Sequence, residues 1–157
     1  MGGRHMWGRA TILIGLSALV MSACAGGAPK KETFSARIIS DQSTNPDRTG
    51  RPSPTQVKIL TLESTNLFEQ ADFFSLFENP EAVLGAEVKD VIVLVIAPGE
   101  EKTIKIETDA LAEHVGIIAG FQDIDNATWR ANAELKGFLR TRRVDVSLSG
   151  KEVTFEK

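Results

Sequence analysis

Few side chains in this sequence of 157 residues could take part in covalent or metal chemistry. The chain has one cysteine, Cys24, and two histidines, His5 and His114. A single cysteine forms no intrachain disulfide, and these three side chains do not supply the ligands of an ordinary zinc site. His114 begins an apolar stretch with no cysteine nearby, so a serine–histidine–aspartate set could only be assembled by arbitrary choice. We therefore expect no enzyme activity, no metal and no cofactor.

The residues before Cys24 favour lipid attachment to its thiol. Arg4 and Arg9 precede the uncharged residues 10–23, and Met21, Ser22 and Ala23 lead directly into Cys24. A basic start, a short apolar run and small residues form a secretory signal, and this run is shorter than the ~20 residues of a membrane-spanning helix. The end of the run resembles a lipobox, in which the cysteine receives a diacylglycerol, is exposed by cleavage and is then N-acylated. The alternative is an ordinary signal peptide followed by a chance cysteine.

This interpretation divides the chain into three parts. We expect residues 1–23 to be a signal peptide, residues 24–31 a flexible tether rich in glycine and proline, and residues 32–157 one folded domain. Two or more acyl chains on Cys24 would give stable membrane attachment. Ala25, where some lipoproteins have Asp, favours the outer membrane by resemblance to enterobacterial lipoproteins. The net charge of −3 gives no reason to expect nucleic acid as a partner.

The segment Asp41–Pro54 contains three prolines, one glycine and many polar residues. Its composition predicts a loop, and ordered loops of this length are often binding loops. Its prolines reduce the conformational freedom lost on docking, and Arg48 and Arg51 could form charge-assisted bonds to a partner carboxylate. A solvated connector is the alternative interpretation.

Two other clusters of charged or polar residues are candidate sites. Asp123, Asp125 and Asn126 resemble part of a calcium loop, but the glycine that an EF-hand requires at its sixth position is replaced by Thr128. A polar turn is the better interpretation. The basic cluster Arg140, Arg142 and Arg143 could face anionic lipid or an acidic partner, but a solvated strand entry is favoured.

Alternating apolar residues predict about eight strands, and this number of short strands suggests a β-sandwich. The predicted strands are Thr33–Ser40, Gln56–Glu63 with a bulge at Ile59-Leu60, Val91–Ile96, Thr103–Glu107, His114–Phe121, Trp129–Leu135, and Val144–Leu148 turning at Ser149-Gly150 into Val153–Phe155. The β-branched run Val91–Ile96 is expected to be buried on both faces.

One helix is predicted between the second and third strands. Apolar residues at helical spacing place it over about Leu67–Phe77. Asn66 and Glu69 have the spacing of a capping box, and Pro80 is expected to end the helical segment.

Several segments carry a family resemblance by their order and spacing. They are Asn45–Pro54, Val57–Leu62, Phe68–Phe73, Leu76-Phe77, Pro98-Gly99, Val115–Phe121 and Trp129-Arg130. Behind a lipidation motif, they resemble the TssJ (SciN) family, the outer-membrane lipoprotein of the bacterial type VI secretion system. Two positions depart from the family pattern. Gln122 stands where the family commonly has Arg, and Leu62 follows Thr61 where the family often has a Tyr-Gln or similar pair.

The resemblance implies an all-β fold: a two-sheet transthyretin-like β-sandwich of about eight strands, with a short helical insertion after strand 2. It also implies a scaffold that is lipid-anchored in the outer membrane and faces the periplasm. The family binds the periplasmic C-terminal region of TssM and, through TssM, is joined to TssL; the contact is the loop between strands 1 and 2. The residues carried over as partner-binding are Asn45, Pro46, Asp47, Arg48, Thr49, Gly50, Arg51 and Pro52. A lipoprotein that binds a small ligand or chaperones another envelope component is the alternative function.

Overall fold

The structure, a computed structural model, describes residues 1–2, 31–109, 111–138 and 143–156. The strands are β1 (Lys31–Ser40), β2 (Thr55–Leu62), β3 (Val88–Ile96), β4 (Glu101–Asp109), β5 (His114–Gly120), β6 (Arg130–Glu134), β7 (Arg143–Ser149) and β8 (Glu152–Glu156). The α-helices are α1 (Asn66–Gln70), α2 (Phe73–Glu78), α3 (Pro80–Leu84) and α4 (Leu135–Phe138), with 3-10 helices at Gly85–Glu87 and Ile124–Asn126.

The strands form two four-stranded sheets. One has the order β4-β1-β7-β8 and the other the order β3-β2-β5-β6. All neighbouring strands are antiparallel except β1 and β7, which are parallel. The predicted all-β sandwich with a helical insertion after the second strand is confirmed.

The main core lies between the two sheets. On β1, Phe34, Ala36 and Ile38 are buried, while the residues between them are more exposed, as the period-2 pattern predicts. Ile59 and Ile117, paired across β2 and β5, face them from the other sheet. Burial of these apolar side chains supplies the main stabilisation of the fold.

A second core lies on the outer face of the β2 sheet, beneath the helical insertion. It is formed by Leu60, Leu62 and Ile118 from the sheet and by Phe68, Leu76 and Leu84 from the helices. Because both of its faces are covered, β2 is buried along nearly its whole length.

The expectation that β3 is buried on both faces is wrong. Val93 and Val95 are 51% and 53% exposed. β3 is an edge strand; Val88 and Val91 pack against the second core, but Val93 and Val95 do not. A continuous β-branched run therefore marked the strand without showing which strand occupies the centre of the sheet.

The insertion consists of three short helices instead of the single predicted helix. Asp72 caps α2 by accepting from the backbone N–H of Ser75, and Asn79 caps α3 by accepting from that of Ala82. Pro80 was expected to end the helical segment, but it is the first residue of α3, where the missing N–H of proline costs nothing.

The predicted capping box at Asn66 and Glu69 does not form. The residue that precedes α1 is Thr65, which makes no side-chain capping bond. The Glu87 carboxylate instead accepts from the backbone N–H of Leu67 at 3.1 Å and from the Ser64 hydroxyl at 2.9 Å. A distant acid thus satisfies the start of α1, which local spacing could not reveal.

Arg130 fixes the insertion to the sheet. Its Nη1 donates to the carbonyl oxygens of Phe68 at 2.9 Å and Ala71 at 2.8 Å, at the end of α1. Its guanidinium also lies 4.7 Å from the ring centroid of Trp129. The side chain therefore satisfies helix-end carbonyls that would otherwise lack partners.

Several predicted boundaries shift slightly. Lys31, predicted to be the last tether residue, is the first residue of β1. The irregular register of β2 lies between Thr61 and Leu62 instead of at Ile59-Leu60. The turn between β7 and β8 is confirmed, with Gly150 at a φ of 56°.

Within the described ranges, no helix is both long and apolar enough to cross a membrane.

Candidate functional site: the β1–β2 loop and its cleft

The predicted binding loop, residues 41–54, connects β1 to β2 at one end of the sandwich. It packs against the β7–β8 hairpin at the same end. Thr44 Oγ1 donates to the Leu148 carbonyl at 2.8 Å, and the backbone N–H of Asn45 donates to the Gly150 carbonyl at 2.6 Å. The loop is therefore attached to the sheet that carries β1 as well as being continuous with β2.

Asp41 organises the first turn of the loop. Its Oδ1 accepts from the backbone N–H and the hydroxyl of Ser43, both at 2.8 Å, and from Thr44 Oγ1 at 3.1 Å. Partial burial opposes ionisation, but hydrogen bonds from Ser149, Ser43 and Thr44 outweigh it and lower the pKa of Asp41 to about 2. The carboxylate is thus a charged structural element at neutral pH.

Asn45 is the central anchor of the loop. It is 2% exposed and has a φ of 54°, a left-handed conformation that Asn tolerates better than most residues. Its Nδ2 donates to the Pro54 carbonyl at 3.0 Å, and its Oδ1 accepts from the backbone N–H of Gln122 at 2.8 Å. One side chain therefore joins the two ends of the loop to the segment that follows β5.

Asp47 organises the tip. Its Oδ1 accepts from the Thr49 hydroxyl at 2.6 Å and from the backbone N–H groups of Thr49 and Arg51, and its Oδ2 pairs with the Arg51 guanidinium at 3.0 Å. The Thr49 hydroxyl and the Arg51 N–H hold the pKa of Asp47 well below its usual range. Gly50, with a φ of 81°, permits the tight turn.

These contacts sort the predicted partner-binding residues into two groups. Asn45 is buried and Pro46 and Asp47 are partly buried, whereas Arg48, Thr49, Gly50, Arg51 and Pro52 are exposed. Arg51 already pairs with Asp47, whereas Arg48 forms no hydrogen bond or ion pair with any residue the structure describes. Arg48 is therefore the loop cation that is free to meet a partner carboxylate.

A cleft of about 770 Å³ separates the loop from the segment after β5. Pro46, Asp47 and Arg48 line one side. Gln122, Asp123, Ile124, Asp125 and Lys151 line the other side. The segment after β5 lies beside the loop because Gly120, at the end of β5, pairs with Gln56, at the start of β2.

Residues 122–125 and Lys151 lie outside the loop that was predicted as the binding site. Gln122, which departs from the family pattern, lies outside the loop in the sequence. In the structure its Nε2 donates to Ser53 Oγ at 2.8 Å, in addition to its backbone bond to Asn45. Strand pairing alone brings these distant segments together, so no local sequence signal could have identified them.

The other predicted sites have different outcomes. Cys24, the signal peptide and the tether before Lys31 lie outside the described residues, as do Arg140 and Arg142. Arg143 lies at the start of β7 and pairs with Asp145 at 3.0 Å. Asp123 forms a polar turn, bonded to Lys151 and to Asn126 Nδ2, and those two contacts lower its pKa. Among the residues the structure describes, no group of three acidic, histidine or cysteine side chains could hold a metal ion.

The fold and the contacts of its end loop define the protein as a two-sheet β-sandwich with a hydrogen-bonded loop at one end. Residues 32–150 match the family described as type VI secretion lipoprotein, VasD, EvfM, TssJ. Because this match spans most of the chain, the protein belongs to the type VI secretion lipoprotein family.

Solved structures show the same fold. The T6SS lipoprotein TssJ1 from Pseudomonas aeruginosa is 24% identical, with a TM-score of 0.72 over 82% of this chain and 96% of that chain. Serratia marcescens Lip, a membrane-bound component of the type VI secretion system, is 25% identical, with a TM-score of 0.72 over 80% and 97%. A structure described as the T6SS protein TssM C-terminal domain from EAEC contains a match at 21% identity, with a TM-score of 0.66 over 80% and 98%. Comparison with curated proteins gave no match.

Proposed function

We propose that this protein is the outer-membrane lipoprotein of a type VI secretion membrane complex and that its β1–β2 loop binds the periplasmic C-terminal region of TssM. Acyl chains on Cys24 anchor it in the outer membrane, with the domain facing the periplasm. Through TssM the protein is joined to TssL. The family match supports the secretion role, and the match in a structure described by the TssM C-terminal domain supports TssM as the partner.

The observation that carries the loop assignment is its internal bracing. Asn45 and Asp47 hold a loop of fourteen residues in one conformation through bonds to the sheets and within the tip. A loop ordered before binding loses less conformational entropy when it docks. A simple connector between two strands has no need of a buried asparagine at a positive φ.

The alternative of a small-ligand lipoprotein is less well supported. Small-molecule sites are mostly apolar and enclose most of the ligand. The cleft beside the loop is lined mainly by polar and charged side chains, among them Arg48, Asp123, Asp125 and Lys151. Such a surface suits a protein partner better than a small apolar ligand.

The loop is tested by replacing residues 46–52 with Gly and Ser while keeping Asn45, whose burial makes it part of the fold. We expect binding of the purified TssM periplasmic domain, measured by biolayer interferometry, and secretion activity to be lost. The melting curve of the domain should remain cooperative. Unchanged affinity in the replaced variant would exclude the loop as the TssM contact.

A matched pair of charge reversals refines this test. Arg48→Glu should weaken TssM binding by about tenfold or more, because a repulsive charge replaces a free cation at the contact. Lys105→Glu makes the same change at an exposed position of β4. The control variant should bind like the wild type.

A further inference from the structure

The cleft beside the loop has a second wall that the proposed loop contact does not include. This wall is Gln122–Asp125 with Lys151. It faces Pro46, Asp47 and Arg48 of the loop across the cleft of about 770 Å³. Any segment that docks against the inner side of the loop must therefore also contact residues that lie more than seventy positions away in the sequence.

Both walls are fixed relative to each other. The backbone N–H of Gln122 donates to Asn45 and its side chain donates to Ser53, so the loop and the second wall share two hydrogen bonds. Further along, the backbone N–H of Thr128 donates to the Lys151 carbonyl at 3.0 Å, and the Lys151 ammonium pairs with Asp123. The cleft is thus a preformed feature of the sandwich end.

Most charged side chains that line the cleft already have hydrogen-bond or ion-pair partners, and two do not. Asp47 is bonded to Thr49 and Arg51, and Asp123 to Lys151 and Asn126. Arg48 on the loop wall and Asp125 on the second wall are exposed and make no hydrogen bond or ion pair with another described residue. The cleft therefore presents one free cation and one free anion from opposite sides.

We propose that the second wall is part of the docking site and that one polar, extended segment of the partner occupies the cleft. This inference rests on the proposed function. The segment carries a carboxylate that meets Arg48 and a basic or amide donor that meets Asp125. Its apolar atoms contact Pro46 and the half-buried Ile124. Opposite charges on the two walls fix the direction of the bound segment, because the reversed orientation places like charges together.

The first experiment measures affinity with a charge-matched control. Asp125→Arg in the acylated full-length protein, purified in detergent, should weaken binding of the TssM periplasmic domain by about tenfold or more. Glu134→Arg makes the same charge change at the end of β6 beside His114, far along the sheet from the cleft. It should bind like the wild type.

The second experiment locates the partner directly. The sequence has one cysteine, Cys24, whose sulfur is blocked in the acylated protein. Asp125→Cys and Glu134→Cys therefore each introduce a unique reactive thiol for a benzophenone maleimide, with the wild-type protein as the blank. We expect a photo-crosslink to the TssM domain from position 125 and none from position 134.

The outcomes separate this inference from the proposed function. Three results together would exclude the second wall from the docking site and leave the loop contact intact. They are loss of binding by the loop replacement, wild-type binding by Asp125→Arg, and no crosslink from position 125. Wild-type binding by the loop replacement would overturn the proposed function itself. A crosslink from position 125 with weakened binding by Asp125→Arg supports the two-walled site.

Discussion

At the scale of single residues, Asn45 shows how a side chain in a binding loop can be structural. It was predicted as a partner-binding residue because it lies in the loop. Its side chain is instead buried and bonded to Pro54 and Gln122. Asn suits the position because its short amide tolerates a positive φ and offers both a donor and an acceptor. The exposed residues of the tip depend on this buried anchor for their placement.

Asn45→Ala should destabilise the domain by about 1–3 kcal/mol, because the Pro54 carbonyl and the Gln122 N–H lose their partner and alanine is less favourable at this φ. The measurement is urea unfolding followed by circular dichroism. Arg48→Ala, which removes an exposed side chain with no bonds in the described structure, is the control and should change the stability by less than about 0.5 kcal/mol. Equal stability of the two variants would show that Asn45 does not brace the loop.

At the scale of elements, the helical insertion depends on the sheet more than on its own helices. Each of its three α-helices has five or six residues, too short to be stable alone. Burial of Phe68, Leu76 and Leu84 against β2 and β5 holds the insertion, and Arg130 bonds the carbonyls at the end of α1. The insertion is therefore a cap on the second core.

Arg130→Ala should loosen this cap. Two carbonyl oxygens lose a charged donor, so we expect a loss of about 1.5–3 kcal/mol in unfolding free energy. Amide hydrogen exchange should become faster over residues 66–84. Asn132→Ala is the control, since Asn132 bonds the exposed Glu69 at 3.1 Å and its loss should have little effect. Unchanged exchange in Arg130→Ala would contradict the role given to this side chain.

At the scale of the whole molecule, the chain enters β1 at the end opposite the loop. The strand begins at Lys31, seven residues after Cys24 in the sequence, and ends at Ser40, where the loop starts. Ten residues of extended chain span about 33 Å. The proposed anchor therefore joins the domain at the end of β1 that is remote from the loop and its cleft.

Cys24→Ser should remove the anchor without changing the domain. We expect the variant to lose acyl labelling, to leave the outer-membrane fraction and to lose secretion activity, while the melting temperature of its domain and the affinity of the domain for TssM stay unchanged. Fractionation and metabolic labelling with a palmitate analogue measure the two effects. Ser22→Ala, two residues away, is the control and should still be acylated. A Cys24→Ser protein that stays in the outer-membrane fraction as the wild type does would show that the lipid is not the anchor.

Much of the fold could be predicted because strand alternation is local. The pattern on β1 marked Phe34, Ala36 and Ile38 as the inward face, and the Ser149-Gly150 turn marked the last hairpin. The helical insertion was located but predicted as one helix, because Asp72 begins a new helix inside the periodic segment Leu67–Phe77 and Asn79 begins another just after it. The order of strands in a sheet has no local signature, so β3 was wrongly expected to be buried on both faces.

The sequence by itself determined that the chain has an all-β domain with a proline-rich loop between its first two strands, a preceding segment that resembles a lipidation motif, and a resemblance to one secretion family. Those properties depend on neighbouring residues. Only the tertiary structure decided that Asn45 is an anchor, that Arg51 is already paired, and that Gln122 and Asp125 lie beside Arg48. Strand pairing creates these contacts by joining segments far apart in the chain, and the cleft exists only where those segments meet.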